Sequence, residues 1–208
     1  MTSATNAEGT THYTYDCDDQ LTKAVKPDGE VVKYGYAPNG TRLWREDGKG
    51  KTHFLHDLAD VVGEFTESGK LKTSFVHGSG ADDVLSASHD GEQYFYHYDL
   101  VRSVTAMTGQ QGTVEARYDY DAFGQQKQAE GNAVAWNPYR YTSRSFDAST
   151  DQYHYRARSY DPMLGRFTSA DPAGLRGGLN LYSYAANDPT LFNDPFGFWP
   201  DWLDSVGS

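Results

Sequence analysis

The sequence predicts an all-β fold: antiparallel β-hairpin repeats of about 21 residues each, joined edge to edge into one curved sheet. Three observations predict it. An aromatic–x–Tyr/His doublet recurs at Tyr13-Thr-Tyr15, Tyr34-Gly-Tyr36, Phe54-Leu-His56, Phe75-Val-His77, Tyr96-His-Tyr98, Tyr118-Asp-Tyr120 and Tyr139-Arg-Tyr141, with steps of 21, 20, 21, 21, 22 and 21 residues between first positions. A glycine precedes most doublets by four to six residues, at Gly29, Gly50, Gly69, Gly91 and Gly112. Helical periodicity is absent from this region.

The unit reads as two strands. Around Gly29 the chain runs LTKAVKPDGEVVKYGY, two strand-like segments joined by Asp-Gly, and HDGEQYFYHY repeats the pattern at Gly91. Asp-Gly between such segments is a strong hairpin signal. Aromatic residues at i and i+2 share one face of a strand, so each doublet places two rings on the same side of the sheet. A second turn follows the doublet, as at Pro38–Gly40 and Ala122–Gly124, and an aspartate follows it in four copies, Asp16, Asp57, Asp99 and Asp121. In this phase His56 and His77 are ladder neighbours of Tyr36 and Tyr98.

Residues 1–12 stand before the repeats as an N-terminal extension, the repeats span 13–142, a closing segment spans 143–198, and residues 199–208 form a tail. The closing segment is denser in Arg, Asp and Pro. It carries DPMLG from Asp161, DPAGL from Asp171 and DPFGF from Asp194, and NLYSYAAN (180–187) reads as a short helical turn. Asp-Pro is first a turn signal: proline sets φ, aspartate accepts a local backbone hydrogen bond, glycine closes the turn. Two aspartates held on rigid turns near an arginine can also form an acid–base pair, one ionised and one neutral. Asp161 has a different Pro-to-Gly spacing and reads as structural, and Arg166 as a strand residue pairing with a neighbouring carboxylate.

Composition narrows the function classes. The 208 residues carry a net charge of −11, which disfavours a nucleic-acid partner, because phosphate binding needs clustered Lys and Arg. Cys17, the single cysteine, excludes an internal disulfide and reads as a half-buried strand residue. No apolar run approaches the roughly 20 residues of a membrane helix, and MTSATNAEGTTHY lacks the features of a cleaved signal. His53 and His56 fall on opposite faces of a strand, which argues against a metal site, and no cofactor motif is present. The 16 tyrosines also suggest, more weakly, an exposed aromatic surface for carbohydrate.

The repeat and the closing segment together resemble the Rhs/YD-repeat family, from Tyr13 to Phe198. YTYDCDDQL is a degenerate YD repeat, and YFYHYDLVRSVTAMT, RYDYDAFG and NPYRYTSR resemble successive parts of the Rhs repeat-associated core. YDPMLGRFTSADPAGLRGGLNLYSYAANDPTLFNDPFG is similar to that core's closing signature almost position for position. The resemblance implies a β-cocoon around a C-terminal toxin, closed by a segment that acts as an intramolecular aspartyl protease. It places the protease aspartates on Asp171 and Asp194, the assisting arginine on Arg158, and the cut between Phe198 and Trp199. It implies a toxin domain or another shell or secretion component as partner, and synthesis in the cytoplasm with export through a specialised system such as type VI secretion. Two features depart from the family: Phe198 stands where Leu is usual, and the repeats before the core are few. The competing expectation is a non-catalytic β-repeat module in which the aspartates only form turns.

Overall fold

The computed structural model describes residues 2–7, 9–80 and 82–198. A thirteen-stranded antiparallel sheet takes its strands in sequence order. These are β1 (Ser3–Asn6), β2 (Gly9–Tyr15), β3 (Leu21–Val25), β4 (Val31–Tyr36), β5 (Arg42–Asp47), β6 (Gly50–Asp57) and β7 (Asp60–Thr66). They are followed by β8 (Leu71–His77), β9 (Val84–His89), β10 (Glu92–Tyr98), β11 (Val104–Gly109), β12 (Val114–Tyr120) and β13 (Gln126–Glu130). A second, four-stranded sheet comprises β14 (Ser145–Asp147), β15 (Gln152–Tyr155), β16 (Arg158–Asp161) and β17 (Arg166–Phe167).

The large sheet reaches further back than the doublets suggest, taking in β1 and the first residues of β2, and it stops at Glu130. The seventh doublet, Tyr139-Arg-Tyr141, lies off it, on the way into the closing segment. Cys17 is exposed in the turn after β2, where the sequence suggested a half-buried strand position.

The second ring of each doublet has a defined task. At Tyr15, Tyr36, His56, His77, Tyr98 and Tyr120 the strand register shifts by a bulge. A bulge disrupts the ladder locally and increases the twist. The residues paired with the first five of these rings are Leu21, Arg42, Val61, Val84 and Val104. The next unit's ring caps each of those carbonyls. Tyr36 Oη donates to Leu21 O at 2.9 Å, His56 Nε2 to Arg42 O at 2.8 Å and His77 Nε2 to Val61 O at 2.9 Å. Tyr98 donates to Val84 O, and Tyr120 to Val104 O at 3.0 Å. Tyr and His alternate freely here because both present a flat ring with a donor at its tip.

The aspartate after the doublet shapes the turn. Oδ1 of Asp99 accepts from the amides of Val101 and Ser103 at 3.0 and 2.7 Å, and Oδ1 of Asp16 and of Asp121 does the same two and four residues on. At the opposite end of the unit Gly29 takes φ +87°, which the Asp-Gly hairpin requires.

The sheet curls around the closing segment. Tyr34 of β4 donates to Asp147 of β14 at 2.8 Å, Phe75 and Tyr96 meet the Tyr139 ring edge-on, and Tyr120 packs on Tyr141. Strands from near the start, the middle and the end of the sheet therefore touch one short stretch of chain, Tyr139 to Asp147. Tyr153, Tyr155, Tyr160, Phe167 and Tyr184 form the core of the closing segment and are fully buried. Their hydroxyls are satisfied: Tyr153 to Gly124 O at 3.1 Å, Tyr160 to Phe123 O at 2.7 Å, Tyr155 to Tyr184 Oη at 3.1 Å. A buried hydroxyl left without a partner would cost about 1–3 kcal/mol. Ten tyrosines are buried in the structure, divided among three core clusters.

Candidate active site

Arg158 opens β16, immediately after the turn at Arg156 and Ala157, and its side chain is almost wholly buried, with the guanidinium 3.6 Å above the centre of the Phe167 ring. Its donors fan out to four acceptors. Nη2 donates to Asp171 Oδ2 at 2.9 Å and to Asp194 Oδ2 at 3.2 Å. Nη1 donates to Leu181 O at 3.1 Å, and Nε to Gly197 O. One nitrogen thus bridges two carboxylate oxygens, which lie no more than about 6 Å apart by the sum of those two distances.

Each aspartate divides its work between two oxygens. Asp171 Oδ1 accepts from the Ala173 amide at 2.8 Å, closing the DPAG turn, and Asp194 Oδ1 accepts from Gly197 N at 2.9 Å and Phe198 N at 3.1 Å. Oδ2 of each is turned to Arg158. The Asp171 amide donates to the Leu181 carbonyl that Arg158 also holds, so the two turns and the loop between them meet on one guanidinium.

Electrostatics favours one proton on this cluster. Asp194 is 2% exposed, and burial, opposed by Arg158 and assisted by Asp171, pushes its carboxyl up to about 6. Burial also lowers Arg158, while both carboxylates oppose that fall. Two buried carboxylates beside a single cation leave one negative charge uncompensated, which a shared proton removes.

The structure thus brings Asp171, Asp194 and Arg158 together. Phe198 adjoins them through its amide and lines, with Phe196, a cavity of about 510 Å³. Trp199, on the far side of the expected cut, lies outside the described residues. Asp161 is a turn residue, accepting from Met163 N and Leu164 N at 2.9 and 3.0 Å. Arg166 faces Asp161 across the β16–β17 register and lies 4.8 Å from the Tyr182 ring centre. The helical turn expected in 180–187 is one 3₁₀ turn at Ala185–Asn187. Among the described residues no group of three or more His, Cys, Asp or Glu is placed to hold a metal ion.

Sequence reasoning missed a second charged layer. Arg144 and Arg156 both donate to the Pro195 carbonyl, and both pair with Asp82. The only hint was the arginine density of the segment. Nothing around Asp82 marks it, because its role comes from a loop of the large sheet.

Residues 2–190 match the family described as Teneurin YD-shell, a stretch that includes Arg158 and Asp171 and ends just before Asp194. The chain is 32% identical over 206 residues to the tRNA3(Ser)-specific nuclease WapA of Bacillus spizizenii, covering 95% of this chain and 9% of that protein. It is 40% identical over 153 residues to toxin subunit YenC2 of Yersinia entomophaga, covering 66% of this chain and 14% of the other. The crystal structure of TcdB2-TccC3-Cdc42 superimposes with a TM-score of 0.74 at 18% identity, over 90% of this chain and 10% of that one, a likeness of fold. The chain therefore spans about a tenth of the length of such relatives. The sequence-ordered hairpin sheet, the capped bulges and the match over nearly the whole length lead to one assignment: this chain belongs to the Rhs/YD-repeat family and is a YD-shell segment of the kind found in toxin-associated proteins.

Proposed function

We propose that this segment closes a YD shell and cuts its own chain after Phe198, separating the shell from the residues C-terminal to it. The observation that carries the reading is the pair of buried carboxylates on Arg158 Nη2, one of them hydrogen-bonded to the amide of Phe198. Asp194, raised to about 6, is the acid, and Asp171 is the base. Water attacks the Phe198 carbonyl carbon, Asp171 takes the water's proton, and Asp194 protonates the carbonyl oxygen. Collapse of the tetrahedral intermediate breaks the C–N bond, a proton passes to the departing nitrogen, and a new carboxyl group and a free amine remain. The substrate is tethered four residues from Asp194, so its effective concentration is high and one turnover suffices.

In the larger protein the released segment is a toxin carried inside the shell, and delivery by a specialised secretion system serves competition between bacteria. The toxin and nuclease names of the relatives support the toxin part of this reading. A second reading has its own support: each aspartate closes its own turn through Oδ1, as a purely structural residue would. Intact mass separates the two. Under the protease reading the folded chain loses residues 199–208, and Asp171→Asn and Asp194→Asn each keep the full mass with the sheet intact. Equal cutting in all three proteins, or in none, leaves the structural reading.

A further inference from the structure

The last turn of the site is held by two arginines that are themselves anchored to the large sheet. Its central carbonyl, Pro195 O, accepts from Arg144 Nη1 at 3.1 Å and from Arg156 Nη1. A carbonyl oxygen has two lone pairs, and both are used. The nearby Gly197 and Phe198 amides are the ones Asp194 Oδ1 holds, so fixing Pro195 fixes the direction of the acid and of the peptide beside it. The Arg156 guanidinium also lies 4.9 Å from the centre of the Phe196 ring.

The charges on these two arginines are balanced from elsewhere. Arg156 Nη2 meets Asp82 Oδ1 at 2.8 Å and Asp60 Oδ1 at 3.2 Å, and Arg144 Nη2 pairs with the same Asp82 oxygen. Arg156 Nε adds a bond to Ala59 O at 3.3 Å. Asp60 opens β7, and Asp82 lies in the link between β8 and β9. Asp82 and Arg144 are both buried. Two guanidinium groups side by side repel and lose hydration, and their placement depends on a carboxylate between them. That carboxylate arrives only when the strands 74 residues away in sequence have folded over the segment.

We propose that Arg156 and Arg144 are positioning residues for the last turn, and that Asp82 and Asp60 make its geometry conditional on closure of the repeat sheet. The cut would then come after folding of the shell and not precede it. The inference rests on the protease reading for its consequence, but the positioning itself can be read without any cutting.

The test uses the full chain in an Asp171→Asn background, where the tail stays attached. Amide hydrogen exchange is read at Gly197 and Phe198, with the β3–β4 amides as reference. Adding Asp82→Asn or Arg156→Gln is expected to speed exchange at these two amides by roughly tenfold while the reference strands hold. Arg156→Lys, which keeps the cation, is expected to restore part of the protection, separating charge from packing against Phe196. Should Asp82→Asn loosen the whole sheet, Asp60→Ala, which removes the longer of the two carboxylate bonds to Arg156 Nη2 and leaves Asp82 in place, is read on the same amides. Unchanged exchange at Gly197 and Phe198 overturns the proposal. With Asp171 present, the same variants are expected to slow cutting by roughly tenfold or more. A wild-type chain that never cuts, with the amide effect present, sinks the protease reading and leaves the positioning intact.

Discussion

A Cβ added to Gly197 would fall 2.1 Å from the carbonyl oxygen of Tyr155, at a position where φ is +73°. No real side chain fits there, and the backbone conformation is one that L-residues rarely adopt. The DPFG turn can therefore approach the β15–β16 hairpin only with glycine at its fourth position.

Gly197→Ala is accordingly expected to lift the turn off Arg158 and its neighbours. Backbone strain alone costs roughly 1–3 kcal/mol, and the contact with Tyr155 O adds to it. Thermal unfolding should show a modest loss, because the large sheet is untouched, and under the protease reading cutting after Phe198 should stop. A variant that cuts at the wild-type rate would mean the turn plays no part in the chemistry.

The bulge ladder makes a second prediction. His77 donates to Val61 O as Tyr98 donates to Val84 O one unit later. His77→Tyr should keep a donor over the same carbonyl, whereas His77→Phe leaves it only the longer bond from Tyr139 Oη at 3.4 Å. Urea unfolding is expected to place the Phe variant about 1–2 kcal/mol below the Tyr variant. Equal stabilities would show that Tyr139 Oη or water caps the carbonyl as well as the ring at position 77 does.

The repeat was legible because its signals are local. Gly29 marks a hairpin through its own φ, and Asp99 marks a turn through amides two and four residues away. Strand order was legible with it, since each hairpin pairs with the next. Asp171, Asp194 and Arg158 were legible only through the family's closing signature; their spacing alone says turn. Illegible were the contacts made by curvature. Tyr34 with Asp147, and Arg156 with Asp82, join residues 113 and 74 apart, and no local pattern encodes how far thirteen strands curl. The strand within the N-terminal extension was illegible for a related reason: β1 has no aromatic doublet, so only its pairing with β2 reveals it.

A third prediction concerns acid. Burial holds His154 well below the ordinary imidazole value, and Arg42, Arg144 and Arg156 lower it further. Its folded value lies beneath the unfolded one of 6.5, so the unfolded chain binds the proton more readily. The stability this histidine contributes is complete above about pH 6.5 and is lost as the pH falls below it. Replacing it with an uncharged residue, His154→Gln, should flatten the decline in stability between about pH 7 and 5. Chemical denaturation across that range measures it, and parallel curves for the two proteins would reject it.

Asp194 has the opposite sign. Its folded value of about 6 stands above the ordinary 3.8, because burial outweighs the attraction of Arg158. The folded chain therefore keeps this proton through the window from 3.8 to about 6, and above it must bear the buried charge. If the neutral acid delivers its proton to the Phe198 carbonyl, the cutting rate should fall as pH rises through about 6, approaching tenfold per unit. Mixing unfolded chain into buffers from about pH 5 to 8 and tracking intact mass over time gives that profile directly. Arg158 adds an internal control. It lowers the Asp194 value, so Arg158→Gln should move the fall in rate to higher pH, whereas Arg158→Lys keeps a cation and should leave it near its original place. Breaking a buried ion pair on one side costs about 3–5 kcal/mol, so the Gln variant is read only where its sheet remains folded. A rate that is flat or rising between about pH 6 and 8 would remove Asp194 from the role of acid.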